Sequence, residues 1–182
     1  MQRMLTREAI KSPGGPYDGP RPTATPTDLF TLLLAVRDVP YAFLTVLWLG
    51  ALIGVSFLST PVKFQAASLS LATALEIGRV TFALFTRIEW GLWALVALSI
   101  AIGSWRPWRW AGCLLLAAFL ATQTFWLLPI LDARVGAIIA GAEITNSNHH
   151  LLYIATEAAK AMLLFGLSLA SQIQLARGGG QN

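Results

Sequence analysis

The residues able to do chemistry gather in one stretch, "NSNHHLLYIATEAAKAMLLF", at 146–165. It is apolar enough to cross a membrane, yet its first half holds two histidines, a tyrosine, a glutamate and a lysine. On a helix turning about 100° per residue, His149, Tyr153, Glu157 and Lys160 fall within an arc of about 80°. Asn146 and Ser171 extend the same stripe, and His150 sits at its edge, about 20° from Glu157. Glu157 and Lys160 are three residues apart and can pair. Pairing lowers the cost of charge at bilayer depth, which is at least roughly 2.5–3.5 kcal/mol on insertion scales. The stripe must therefore face a bundle interior or a wet cavity, not lipid.

Three chemistries stay open for such a face. Imidazole with carboxylate suits a transition metal, with His149 and Glu157 as the candidate ligands. Histidine, tyrosine and carboxylate together suit proton relay near neutral pH. Histidine also ligates haem iron. Adjacent histidines point about 100° apart on a helix, and the chain has no other histidine, so bis-histidine haem within one chain is disfavoured. The plain alternative is a buried Glu157–Lys160 ion pair, with the histidines and Tyr153 fixing helix rotation at the interface.

Three further polar residues bear on this face. In "TRIEW", Arg87 and Glu89 point to opposite faces, and Trp90 suggests headgroup depth, where both charges are simply interfacial. Turned inward, Glu89 would meet Lys160 or a histidine. Gln123 is a candidate hydrogen-bonding group on the third apolar segment, with core packing as its default role. Lys63, after Pro61, reads as a snorkelling interfacial lysine.

The chain that positions these groups has 182 residues, 55% of them hydrophobic and only 12% charged. Soluble domains carry about a quarter charged residues, so too few remain here to solvate a surface. The fold expected is all-α: an integral membrane four-helix bundle with an additional interfacial or connector helix after the first span. Thirteen Lys and Arg are scattered singly, which argues against a nucleic-acid partner and leaves the lipid bilayer as the main one. The lone Cys113 excludes an intrachain disulfide or a cysteine-based zinc site. No phosphate loop, GxSxG, HExxH or dinucleotide glycine pattern occurs, so an enzyme is not expected.

Residues 1–39 read as a flexible Pro/Gly-rich tail, with five of the nine prolines before residue 28 and a short lead-in helix near 28–38 capped by Asp28. The tail lacks the apolar core of a secretory signal, so the first apolar segment is expected to remain as a true span. The membrane domain covers 40–173. Its first span is 41–60, uncharged, with Gly50 and Gly54 as a small-residue pair and Pro61 at its exit. A connector occupies 62–79. The second span starts within 80–89 and runs to Ser104. "SWRPWRW" makes a tight turn whose tryptophans and arginines mark a membrane boundary. The third span, 111–130, ends at Pro129 and Asp132, and a polar connector, 132–147, leads to the fourth at 149–172. Residues 174–182 read as a flexible tail.

Five Lys/Arg lie in the tail through Arg37, two in the Trp/Arg turn and one at the C-terminus, against Lys63, Arg79 and Arg134 on the other side, with Arg87 a further candidate there. That bias places both termini in the cytoplasm of a bacterial inner membrane. Sliding the first hairpin by 68 positions aligns Pro61 with Pro129, Phe57 with Phe125, Phe85 with Tyr153 and Glu89 with Glu157. Such a match fits two halves related about the membrane normal, although two apolar helices share many residues by chance.

"TPVKF", "LEIGRVTFALFTRIEW", "FWLLPILDAR" and "HHLLYIATEAAK" resemble the four-helix membrane family that includes eukaryotic transmembrane protein 205 and bacterial relatives, distantly like copper-resistance membrane domains. The resemblance covers about 40–173. It implies a four-span membrane protein, and copper-related or drug-resistance roles enter only through that analogy. Methionine clusters, which Cu(I) would prefer, are missing. The functional expectation is a small polytopic membrane protein whose polar interior binds or moves a small ligand or ion. The alternative is a non-catalytic subunit that assembles as a homo-oligomer or with a membrane-complex partner.

Overall fold

The computed structural model describes residues 26–103, 105–141 and 148–179, with side chains described over 37–103, 105–141 and 148–177. Residues 1–25, Ser104, Asn146 and the Asp28 side chain lie outside this description. Every element is helical: α1 (Pro26–Leu52), a π-helical segment (Ile53–Ser59), α2 (Thr60–Lys63), α3 (Leu71–Ile102), α4 (Pro107–Thr122), a second π-helical segment (Gln123–Leu127), α5 (Leu128–Ile139) and α6 (Asn148–Gly179). Four runs are long and apolar enough to cross a membrane: Arg37–Lys63, Leu71–Ile102, Pro107–Ile139 and Asn148–Arg177. The chain is an integral membrane protein.

The spans form a ring in chain order. α1 packs on α3 and α6, α3 on α4 and α5, and α4 on α6. Consecutive spans are joined by short connections, so they run up, down, up and down, and the fourth closes the ring against the first. The outer surface is apolar: Phe43, Leu58, Val80, Leu114, Phe125, Leu151 and Met162 all lie exposed on it. Chains that are apolar on their outside are built for lipid, where no water penalises such faces. Inside, a cluster around Trp48, Val96, Ile100, Leu116, Leu120, Leu164 and Leu167 packs the half of the bundle nearer the termini.

Helix ends differ from expectation in ways the backbone explains. Neither Pro61 nor Pro129 ends its span. Proline lacks an N–H and crowds the carbonyl four residues back, which would normally break an α-helix. Here each proline follows, by two residues, a segment wound to i→i−5 bonding. Thr60 N–H donates to the Val55 carbonyl and Leu128 N–H to the Gln123 carbonyl. The wider turn accommodates the ring and lets the helix continue, to Lys63 in one case and Ile139 in the other.

The additional helix after the first span is the short α2, stacked directly on that span. The rest of the expected connector is mostly helix: Ser70 caps α3 by accepting from Thr73 N–H at 3.2 Å, so the second span starts at Leu71 rather than in 80–89. The lead-in helix is likewise continuous with the first span, running through Pro40. Helix α6 extends into the expected C-terminal tail, to Gly179.

Candidate functional site

The early start of α3 moves Glu89 away from the interface. It lies 18 residues beyond Leu71 and 13 before Ile102, about 27 Å and 20 Å from the two helix ends. Trp48, Gln123 and Glu157 stand at a similar depth on the other spans. Together they build a polar centre at mid-bundle.

Lys160 is its hub. The ammonium, fully buried, donates to both Glu89 oxygens at 2.7 and 2.8 Å and contacts Glu157 Oε1 at 2.9 Å. Two of its hydrogens are thus hydrogen-bonded to Glu89, and Glu157 meets it as an ion-pair contact. Trp48 Nε1 donates to Glu89 Oε1 at 3.0 Å. Ser56 Oγ donates to Glu157 Oε2 at 2.8 Å, and Gln123 Nε2 to Glu157 Oε1 at 2.7 Å and to Thr156 Oγ1 at 3.0 Å. Each carboxylate thus receives three polar contacts, and every span contributes one or more groups. Glu89 and Glu157 are 1% and 2% exposed, so solvent screens this network little.

The π-segments help to position it. Ser56 lies within the first and Gln123 opens the second. Widening a helix turn rotates the residues after it relative to those before, which aims side chains that a regular helix would point elsewhere. The alignment at 68 positions thus pairs two π-segments, two prolines and two glutamates bound to one lysine.

A crevice leads from the far end of the bundle to this centre. Its outer part, about 110 Å³, is lined by residues of all four spans, among them Lys63, Gly78, Arg79, Asp132, His150 and Tyr153. It continues into a space of about 330 Å³ between the first and fourth spans, which shares Thr60, Phe64, Phe82, His150 and Tyr153 with it, reaches Ser56 and Glu157, and is walled also by the exposed Phe57 and Ile154. Arg79 and Asp132 stand 3.9 Å apart on the rim, both half exposed, a weak contact. Lys63 turns inward across Gly78 rather than snorkelling. Its Nζ lies 5.3 Å from the Phe64 ring centre and 5.5 Å from that of Phe82. The Tyr153 hydroxyl is buried beside Glu157 without a well-formed hydrogen bond, and Gln123 Oε1 is buried without a partner.

The histidines separate. His150 lines the crevice with Tyr153 and Glu157. His149 instead packs edge-on to Trp126, ring centres 6.4 Å apart, over a shallow depression on the lipid face. His149 and Glu157 therefore line different spaces, eight residues and about 12 Å of helix rise apart. Among the described residues, no group of three His, Cys, Asp or Glu is placed to hold a metal ion.

A second charged layer, which sequence reasoning missed, lies toward the termini. Arg109 Nη1 donates to Asp38 Oδ1 at 2.7 Å and Nη2 to Gln174 Oε1 at 3.3 Å. Its guanidinium stacks near Tyr41 (4.7 Å) and Trp108 (5.4 Å). Arg37 donates to the Ile102 and Gly103 carbonyls and caps the end of α3. The turn arginines read as boundary markers are thus unlike: Arg106 is exposed, Arg109 buried. The overlooked signal was the spacing of Arg109 with Gly112, Cys113, Leu116 and Leu120, one inward face of α4. Trp48, a tryptophan in mid-span rather than at an interface, was a comparable sign that an indole N–H needs a buried acceptor.

No protein-family model matches the chain, and neither the curated proteins nor the solved structures contain a significant match to it.

Proposed function

We propose that this chain is a small bacterial inner-membrane protein that takes a small ion or ligand into its bundle from one side of the membrane. One observation carries the reading: a crevice whose mouth is lined by all four spans runs from one end of the bundle to Glu157 of a buried charge centre at mid-depth. Polar groups in mid-membrane are costly, and their usual setting is an ion or substrate pathway. The opposite half of the bundle is packed by Val96, Ile100, Leu116, Leu120, Leu164 and Leu167. Access is therefore one-sided. Arg37, Arg106 and Arg177 at the terminal end support cytoplasmic termini, which puts the mouth of the crevice on the periplasmic side.

Thiol labelling tests the reading. In a Cys113→Ala background, Tyr153→Cys should react in intact cells with a membrane-impermeant thiol reagent. Leu164→Cys, in the packed half, and Met162→Cys, on the lipid face, should not. A Tyr153→Cys protein that reacts only after denaturation would remove the crevice as a route.

A second reading, an assembly subunit, draws on the saturation of Lys160 by two carboxylates on two spans. Such a centre locks helices whether or not anything binds. It predicts that Glu157→Gln weakens the bundle or its association with a partner, with no bound ion involved.

A further inference from the structure

Charge does not balance at mid-bundle. Glu89 on α3 and Glu157 on α6 share one ammonium, Lys160. From the first span the centre is faced by Trp48 and Ser56, with Lys63 farther out along the crevice. From the third it is faced by Gln123, and from the fourth by Tyr153 and Thr156, with His150 nearer the mouth. None of the groups in direct contact is a second cation. With both carboxylates ionised the cluster is formally −1 where water is scarce, and buried groups in that position neutralise rather than stay charged. Beside it, Gln123 Oε1 is buried without a hydrogen-bond partner and Tyr153 Oη has no well-formed one, so the site has unused capacity to bind.

We infer that the Glu89–Glu157 pair holds one exchangeable proton, and that this proton enters and leaves at Glu157 through the crevice lined by His150 and Tyr153. The inference rests on the proposed function and names its ion. Glu157 is the point of exchange because both hydrogen bonds of Lys160 go to Glu89, which Trp48 also serves, while Glu157 meets the ammonium only as an ion-pair contact. Glu157 has the longer ammonium contact, two neutral donors and the crevice beside it. Loading is balanced: hydronium in the crevice gives its proton to Glu157 Oε2, an O–H bond forms, and water leaves. The 2.8 Å contact with Ser56 then reverses, with Glu157 donating and the serine hydroxyl accepting. Lys160 keeps its three hydrogens throughout. Unloading retraces the path to the same side, because apolar packing closes the other.

Infrared spectroscopy of the full chain in lipid nanodiscs reads this directly. At neutral pH the solvent-exposed carboxyl groups are ionised, so a carboxylic-acid C=O band reports a buried acid. The wild type should show such a band, shifted in heavy water and insensitive to replacement of sodium by potassium or choline. Glu157→Gln should abolish it. Lys160→Met, which removes the shared ammonium, should roughly double it. Tyr153→Phe should keep its intensity and slow its hydrogen–deuterium exchange, so the proposal survives a Glu157 variant that does not fold. Absence of the band in wild type, its persistence in folded Glu157→Gln, or its loss when sodium is added would each overturn the assignment. A labelled Tyr153→Cys with no acid band keeps the crevice and removes the proton. An unlabelled Tyr153→Cys removes both.

Discussion

Lys160→Met is the substitution that loads the most weight onto one atom. The ammonium makes three contacts of 2.7–2.9 Å to two carboxylates that are 1% and 2% exposed. Methionine is close in volume and leaves little cavity, so the change reports charge rather than packing. Breaking a buried pair by removing one partner typically costs about 3–5 kcal/mol, because the other charge stays behind. Protonation of the orphaned carboxylates relieves part of this, which puts the expected loss near the lower figure, about 3 kcal/mol. Glu89→Gln alone, which leaves Lys160 its contact with Glu157, should cost about 1–3 kcal/mol. The double variant should cost at least about 1 kcal/mol less than the sum, since the two share a network. Replacing all three charges (Glu89→Gln, Glu157→Gln, Lys160→Met) should recover stability further, as buried ionic clusters often yield to neutral replacements. Reversible denaturation in mixed micelles, followed by circular dichroism, supplies the numbers. Single variants within about 0.5 kcal/mol of wild type, or additive within that margin, would refute the idea that the centre is an electrostatic unit.

Trp48→Phe removes a charge-assisted hydrogen bond to Glu89 while retaining an aromatic ring, and should cost about 1.5–3 kcal/mol in the same assay. Arg109→Met removes the 2.7 Å ion pair with Asp38, whose side chain keeps 11% exposure, so its cost should fall at the low end of about 3–5 kcal/mol. Adding Asp38→Asn should recover part of that loss. At Gly112 a Cβ would lie 2.7 Å from a Leu167 methyl, so Gly112→Val should cost about 1–3 kcal/mol by forcing α4 from α6. Shortening the neighbour with Leu167→Ala should restore the fit, so that the pair is more stable than the sum of the single variants implies.

Much of this architecture is written in local patterns. The four apolar stretches, the Trp/Arg turn and the three-residue spacing of Glu157 and Lys160 are properties of neighbouring residues, and each is legible without a structure. Glu89 shows where local reading stops. Trp90 beside it suggested a headgroup position, yet its indole donates inward to Thr124 at 3.0 Å. The decisive feature was 19 residues away, in the Ser70 cap that starts α3 early. The prolines misled for a related reason: whether proline ends a helix depends on the hydrogen-bond register before it, which tertiary packing selects. The histidines were ordered by an ideal 100° step. Real side chains follow what lies opposite, here Trp126 for His149 and the crevice for His150.

The two proline-linked π-segments also have a mechanical consequence. Each gives up regular hydrogen bonding at one level of its span, the first ending at Ser59 and the second at Leu127. Thr60, Lys63, Phe64, Leu128, Leu131, Asp132 and Val135, which wall the crevice, all lie beyond these breaks. Leu52, Cys113, Leu116 and Leu120, which seal the other end, lie before them. Bending stiffness is therefore unevenly distributed along the molecule. The sealed half is braced by unbroken helices and by the Arg109–Asp38 pair, while two opposed walls of the mouth hang on joints at matching heights. Like a clamp with a rigid base and two sprung jaws, such a bundle can vary the width of its opening without loosening the end that holds it shut.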